Sequence, residues 1–139
     1  KIPIMGYVIK RLYLSVDRKD KNDRSKSMAA MMQSLKDGIS VFLCPEGTRN
    51  RTKKPLLDFR DGAFRLAIES QTPVAVLTVL GARERNSPKN PVSLRPGFIY
   101  AVWEEPIETK GMTQDDVPAL KQKTYDLMLN NINKHNAKK

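Results

Sequence analysis

The residues best suited to chemistry stand in one short segment, Pro-Glu-Gly-Thr-Arg at positions 45–49. They follow an apolar run at 39–43 that is typical of a buried strand. Ligands of open α/β sheets lie beyond the carboxyl ends of the strands. Gly47 lets the backbone turn closely against a ligand, Thr48 offers a hydroxyl and an amide, and Arg49 offers a planar guanidinium that suits a phosphate. The segment predicts an anion site, with a charged surface turn as the alternative interpretation.

Two side chains next to this turn have less obvious roles. Glu46 is poorly suited to bind phosphate, but its carboxylate can orient an arginine or accept a hydrogen bond from a substrate hydroxyl. Cys44 is interpreted as a small buried hydrophobe rather than a nucleophile, because no histidine stands near it in the sequence. The one histidine, His135, is interpreted as a solvated residue of the basic tail, after the last helix.

The elements that must position the turn follow from apolar periodicity and from turn residues. Helices are predicted over 25–36, 62–70 and from Thr113 onward, and strands over 13–17, 39–43, 74–80 and 98–103. The buried face of the second helix is predicted to hold Ala63, Leu66 and Ala67, and that of the last helix Val117, Leu120, Tyr125, Met128 and Ile132. This order predicts a single α/β domain over residues 1–139, with a mixed, largely parallel sheet flanked by helices.

The net charge of the chain limits the classes of partner that it is expected to bind. The net charge is +10, from 25 Lys and Arg against 15 Asp and Glu, which favours anionic partners such as phospholipid surfaces or an acidic carrier protein. Specific nucleic-acid binding is disfavoured, because the basic clusters lack interleaved aromatic residues and no recognition motif is present. The longest apolar stretch, 73–82, is too short to span a bilayer, and no spacing of metal ligands is visible.

Several blocks, in order, resemble the glycerolipid acyltransferases of the 1-acylglycerol-3-phosphate (lysophosphatidic acid) type. Residues 44–50 (CPEGTRN) are similar to the family's Phe-Pro-Glu-Gly-Thr-Arg-Ser motif. Residues 14–18 (LSVDR) resemble a block whose arginine helps to hold the acceptor phosphate. Further similar blocks lie at 59–67, 72–81, 94–97 and 106–107, so that the likeness covers nearly the whole chain, and the bacterial branch is the most similar.

The resemblance implies an acyltransferase of phospholipid biosynthesis. Such an enzyme moves a fatty acyl group from acyl-CoA or acyl carrier protein to lysophosphatidic acid and makes phosphatidic acid, with no cofactor and no metal. It further implies association with an anionic membrane surface, at the cytoplasmic face of a bacterial inner membrane. The implied substrate-binding residues are Arg18 and Arg49 for the phosphate, Gly47 and Thr48 for the rest of the pocket, Glu46 for positioning the acceptor, and Arg60 for electrostatic support.

The family's general base, the histidine of a His-x-x-x-x-Asp motif, has no match in this chain. An aspartate at that spacing after His135 would fall beyond the last residue. We therefore expect this chain to contain no catalytic residue and to be inactive alone. The His–Asp dyad and the N-terminal part of the fold are expected to lie upstream of Lys1. The alternative is a non-catalytic homologue or fragment that binds phosphate or anionic lipid.

Overall fold

The computed structural model describes residues 21–86 and 95–137. The chain divides into two compact units, and the boundary in the sequence falls between Phe42 and Leu43. The first unit contains helix α1 (Lys21–Lys36). The second contains α2 (Gly62–Ser70), β1 (Leu77–Leu80), α3 (Ala82–Arg85), β2 (Tyr100–Trp103), a 3-10 turn (Gln114–Asp116) and α4 (Val117–Asn136). The strand predicted over 13–17 lies outside the described residues, and the single domain over 1–139 stays a prediction.

Helix α1 forms where the sequence predicts it, but it begins earlier, at Lys21. Its end is a paired hydrogen-bond motif typical of helix C-termini. The Ile39 amide donates to the Ser34 carbonyl at 2.8 Å, and the Gly38 amide donates to the Leu35 carbonyl at 3.1 Å. Gly38 therefore ends the helix, as expected.

The apolar run at 39–43 does not form the predicted buried strand, and that prediction is wrong. Its backbone is irregular, and Ile39 and Phe42 are 59% and 73% exposed. A strand needs a neighbour to pair its amides and carbonyls. No segment within 21–86 or 95–137 pairs with this run. A β-branched composition favours extended backbone, but it does not supply the partner.

Strands β1 and β2 pair antiparallel, from Leu77 opposite Trp103 to Leu80 opposite Tyr100. An isolated bridge extends the pairing, since Val74 and Ile107 exchange two amide-to-carbonyl hydrogen bonds of 2.9 Å. The predicted mixture of helices and strands is confirmed. The largely parallel pairing is not confirmed, because the described sheet is antiparallel and apolar runs do not encode strand direction.

The core of the second unit lies between α2, the sheet and α4. Its buried members are Leu56, Phe59, Phe64, Ile68, Val76, Ile107, Val117 and Leu120. Helix α2 has the predicted bounds, and Leu66 and Ala67 are buried as predicted. Ala63 is only half-buried, and the predicted face omitted Phe64 and Ile68, which belong to the core.

Helix α4 buries Val117 and Leu120 as predicted, and Tyr125, Met128 and Ile132 pack partly buried against the core. The Thr113 amide donates to Asp116 Oδ2 at 2.7 Å, which fixes the preceding turn. His135 lies inside this helix, half-buried, with its ring centroid 5.5 Å from that of Tyr100. The interpretation of His135 as a solvated tail residue is therefore wrong, because the helix continues along the sheet as far as Asn136.

Candidate functional site

The Pro45–Arg49 segment begins with a tight turn. The Gly47 amide donates to the Cys44 carbonyl at 3.0 Å, with Pro45 at the second turn position, where its fixed φ is favourable. Gly47 has a φ of +66°, which favours glycine. Cys44 is exposed, so its interpretation as a buried hydrophobe is wrong. The reason is that the preceding run does not enter a sheet and so does not carry Cys44 into the core.

Two hydrogen bonds join this turn to the segment that follows the loop. Glu46 Oε2 accepts the Leu57 amide at 2.8 Å, and the Pro45 carbonyl accepts the Arg60 amide at 2.8 Å. The segment at 57–60 is itself anchored, because Leu56 and Phe59 are 5% and 6% exposed. The turn is therefore fixed to the core of the unit through its backbone.

Arg60 reaches the turn because Gly47 has no side chain. A Cβ atom on Gly47 would lie 2.9 Å from both Cδ and Nε of Arg60, which is closer than side-chain carbons approach. The Arg60 side chain thus crosses the turn directly over Gly47. Arg60, predicted for electrostatic support from a distant block of sequence, lies beside residues 45–49.

The loop after the turn is ordered by its own side chains. Asn50 Oδ1 accepts the Thr52 amide at 2.9 Å and the Thr52 hydroxyl at 2.8 Å, while Asn50 Nδ2 donates to the Lys54 carbonyl at 2.9 Å. Arg83, from α3, donates to the Thr52 carbonyl. The cations of the loop (Arg49, Arg51, Lys53 and Lys54) are all exposed. The backbone that carries these four cations is therefore ordered by hydrogen bonds.

The two neighbours of Arg60 in the sequence hold its backbone. Phe59 stacks on Phe64 with centroids 6.2 Å apart and meets Tyr125 edge-on at 5.1 Å. Asp61 forms an ion pair of 2.6 Å with Lys121 of α4. The hydrogen bond from Lys121, and then its charge, hold the pKa of the Asp61 carboxyl below its ordinary value. The backbone of Arg60 is therefore held on one side by the aromatic contacts of Phe59 and on the other by the ion pair of Asp61.

The predicted site residues now separate into those that the structure brings together and one that it does not describe. Glu46, Gly47, Thr48, Arg49 and Arg60 lie at one turn, with Thr48 and both arginines exposed. Neither guanidinium forms a hydrogen bond or ion pair with the described part of the chain. Each therefore has its donors available to an anion. Arg18 lies outside the described residues, so its role stays a prediction.

Sequence reasoning missed two groups that shape the site, the Leu57 amide and the Arg83 side chain. Glu46 and Leu57 are 11 residues apart, and Arg83 and Thr52 are 31 apart. Neither pair has a local signature, because any residue type can supply a backbone amide and Arg83 belongs to none of the blocks singled out in the sequence. Among the residues described, no cluster of three His, Cys, Asp or Glu could hold a metal ion.

Comparison with known proteins gives the family. A family model described as Acyltransferase matches residues 1–79, a range that contains every predicted site residue. The chain belongs to the Acyltransferase family. It is 34% identical over 115 residues to the mouse 1-acyl-sn-glycerol-3-phosphate acyltransferase alpha, covering 82% of this chain and 40% of that protein. It is 30% identical over 134 residues to the 1-acyl-sn-glycerol-3-phosphate acyltransferase of Haemophilus influenzae, covering 91% of this chain and 52% of that one.

A solved structure confirms the fold. The acyltransferase of Thermotoga maritima, PlsC, a 1-acyl-sn-glycerophosphate (LPA) acyltransferase, superimposes with a TM-score of 0.77 at 23% identity. The match covers 99% of this chain and 53% of the Thermotoga chain. The resemblance seen in the sequence motifs is thus confirmed for both family and fold. The chain spans about half the length, or less, of the relatives it matches.

Proposed function

We propose that the protein containing this chain acylates 1-acylglycerol-3-phosphate to phosphatidic acid, and that Gly47, Thr48, Arg49 and Arg60 hold the acceptor phosphate. The observation that carries this proposal is the pair of exposed guanidiniums, Arg49 and Arg60, at one glycine turn, with no partner in the described residues. The names of the mouse and Haemophilus relatives support the choice of acceptor. The acyl donor is a thioester, acyl-CoA or acyl carrier protein, and no cofactor or metal takes part.

The geometry suits a phosphate in three ways. Guanidiniums bind phosphate oxygens through paired, charge-assisted hydrogen bonds. Gly47 has no side chain and so lets Arg60 lie against the turn, and Thr48 adds an exposed hydroxyl. Hydrogen bonds within the chain hold the turn, so that binding a phosphate there costs little ordering. Arg18 completes the site in this proposal.

The proton transfer needs a base that these residues do not supply. Attack on a thioester requires the acceptor hydroxyl to lose its proton to a nearby basic group. His135 lies on α4 against Tyr100, in the half-buried surface between helix and sheet. We assign the base instead to a His-x-x-x-x-Asp segment elsewhere in the full protein.

The basic surface supports a location at an anionic membrane. A Lys or Arg near such a surface gains on the order of 1 kcal/mol. The loop at 49–54 alone exposes Arg49, Arg51, Lys53 and Lys54. None of the helices in 21–86 and 95–137 is long and apolar enough to cross a bilayer. In this proposal the enzyme works at the cytoplasmic face of a membrane, the bacterial inner membrane, and its surface charge serves lipid rather than nucleic acid.

The test uses the full-length protein with Arg49→Ala and, as a control, Arg51→Ala. Both changes remove one exposed positive charge from the same loop. Losing charged hydrogen bonds to phosphate should raise the KM for lysophosphatidic acid roughly 10- to 100-fold in the first variant, with little change in the KM for acyl-CoA. The control should stay near the wild type. Equal affinity for lysophosphatidic acid in Arg49→Ala and wild type would refute the phosphate site.

The second candidate is a homologue that binds anionic lipid without catalysis. The observation that favours it is the position of the one histidine, His135, within α4. The full coding sequence separates the two candidates. A His-x-x-x-x-Asp motif upstream of Lys1, together with acyl transfer by the purified full-length protein, supports the enzyme. Lysophosphatidic acid binding without such a motif supports the binding protein.

A further inference from the structure

Glu46 is the sole acid in the segment 45–54, which also carries four cations. Its Oε2 atom accepts the Leu57 amide at 2.8 Å, and the side chain is half-buried. Among the residues described, no Lys or Arg nitrogen lies within 4.0 Å of this carboxylate. A role in orienting an arginine through an ion pair is therefore not what the structure shows.

We propose that Glu46 is a positioning residue, which closes the loop at 46–57 by holding the Leu57 amide and does not contact the acceptor. This inference rests on the proposed function, in which the same loop holds the acceptor phosphate. It replaces the expected contact between Glu46 and the acceptor with a structural contact. Glu46 thereby acts on the substrate through Arg49 and Arg60.

The contact has the properties of a fixed anchor. Leu57 follows Leu56 and precedes Phe59, both of them core residues, so its amide belongs to a rigid segment. A hydrogen bond from a backbone amide to a carboxylate is roughly twice as strong as one between neutral groups. The neighbouring bond from the Arg60 amide to the Pro45 carbonyl closes the base of the loop a second time. The two bonds together fix where Arg49 leaves the turn.

The charges of the loop explain why an anchor is needed. Arg49, Arg51, Lys53 and Lys54 repel one another at these short separations. With no phosphate bound, that repulsion favours an open loop. The Glu46 carboxylate opposes it in two ways, by its bond to Leu57 and by its own negative charge. The Glu46 contact therefore keeps the loop closed against the repulsion among its cations.

The test compares Glu46→Ala, which removes the acceptor atom, with Glu46→Gln, which keeps an oxygen but removes the charge. Glu69→Ala, an exposed acid on α2, is the control. Hydrogen exchange of the Leu57 amide in the full-length protein should be roughly tenfold faster in Glu46→Ala, because a charge-assisted bond is lost. Tryptic cleavage after Arg49, Arg51 or Lys53 should accelerate in the same variant. Glu46→Gln should recover most of the protection, and the control should match the wild type.

Kinetics separate positioning from direct contact. In Glu46→Ala, the KM for lysophosphatidic acid should rise roughly tenfold while kcat changes less, because the lost interaction orients the binding site. Glu46→Gln should recover most of that loss. A KM in Glu46→Gln as high as in Glu46→Ala, with Leu57 still protected, would show that the charge itself acts on the substrate, and would overturn the inference. Unchanged Leu57 exchange in Glu46→Ala would also overturn it.

Two further outcomes keep the inference testable on its own. Should Glu46→Ala not fold, Glu46→Gln against wild type decides, because only direct contact predicts a large rise in KM with the oxygen still present. Should Arg49→Ala leave the KM unchanged while Leu57 protection is lost in Glu46→Ala, the anchor is supported and the phosphate site fails. The failure of the inference and the failure of the proposed function are thus distinguishable.

Discussion

Arginine side chains cross closely over a glycine at two places in the second unit. Arg60 lies over Gly47, where a Cβ atom would be 2.9 Å from its Cδ and Nε atoms. Arg85 lies over Gly97, where a Cβ atom would come closer still, onto the guanidinium carbon itself. Both glycines have positive φ, +66° at Gly47 and +145° at Gly97. In both pairs an arginine side chain lies where a Cβ atom on the glycine would be.

They differ in what the guanidinium does. Arg85 Nη1 donates to the Pro96 carbonyl at 2.8 Å, and the Arg85 carbonyl accepts the Arg95 amide at 2.9 Å. Arg85 therefore joins α3 to the chain that leads into β2. The Arg60 guanidinium makes no such contact with the described residues. An arginine that lies over a glycine is thus structural where its N–H groups bond to the protein, as in Arg85. Where they do not, as in Arg60, the guanidinium can bind a ligand.

The largest expected effect comes from exchanging the two arginines for alanine. Arg60→Ala should raise the KM for lysophosphatidic acid roughly tenfold or more, because a charged contact to phosphate is lost. Its free energy of unfolding should change by less than about 0.5 kcal/mol, as is usual for an exposed side chain. Arg85→Ala should lower the free energy of unfolding by about 0.5–1.5 kcal/mol, because its hydrogen bond to the Pro96 carbonyl is lost.

Steady-state kinetics and denaturant unfolding on the same two full-length variants measure both quantities. Arg85→Ala should keep a KM near that of the wild type. If Arg60→Ala destabilised the protein as much as Arg85→Ala and left the KM unchanged, the division between structural and ligand-binding arginines would be wrong.

The next effect concerns the glycines. Gly97→Ala should cost more stability than Gly47→Ala, although a positive φ strains both variants by about 1–2 kcal/mol. The reason is that the Arg85 guanidinium must break its hydrogen bond to the Pro96 carbonyl to make room, whereas the exposed Arg60 side chain has no such bond to lose. Gly47→Ala should instead raise the KM for lysophosphatidic acid, because Arg60 is displaced from the turn. Thermal unfolding and kinetics of both variants test this, and equal losses of stability would count against it.

Local sequence patterns predicted the parts of the fold that local chemistry decides. Helix α2 has its predicted bounds because its apolar residues recur at helical spacing and Gln71, next after it, adopts a left-handed conformation that ends it. The turn at 45–49 was recognised because proline and glycine restrict a turn in specific ways. Resemblance identified the arginines at the turn, and the structure places the Arg60 side chain over Gly47, two residues from Arg49.

Contacts between distant residues could not be predicted in the same way. Asn131 of α4 is buried and donates to Thr78 Oγ1 at 3.2 Å and to Glu104 Oε1 at 2.7 Å. These partners are 53 and 27 residues away, and nothing in the sequence near Asn131 indicates burial. The run at 39–43 failed for a related reason, because a strand is defined by a neighbour that its own composition does not specify. Predictions were correct where local propensity decides the structure, and wrong where the structure depends on a partner distant in the sequence.

The smallest expected effect tests the anchor beside Arg60, the Asp61–Lys121 ion pair. Lys121 holds the pKa of Asp61 below its ordinary value of 3.8, so the folded state favours the carboxylate more than the unfolded chain does. The pair should therefore stabilise the fold above pH 3.8 and lose that contribution as the pH falls through the lowered folded-state pKa.

Asp61→Asn should accordingly reduce stability slightly at pH 7, and the difference from wild type should vanish in acid and shrink in high salt, because both side chains are partly exposed. Asp58→Asn, an exposed change in the same segment, is the control and should leave the free energy of unfolding at pH 7 within about 0.5 kcal/mol of the wild type. Urea unfolding at several pH values measures both variants. If the stability difference between Asp61→Asn and wild type persisted below the folded-state pKa, Asp61 would hold the backbone near Arg60 by its shape and not by its charge. The contrast between Arg60 and Arg85 would then rest only on the hydrogen bonds that each guanidinium forms.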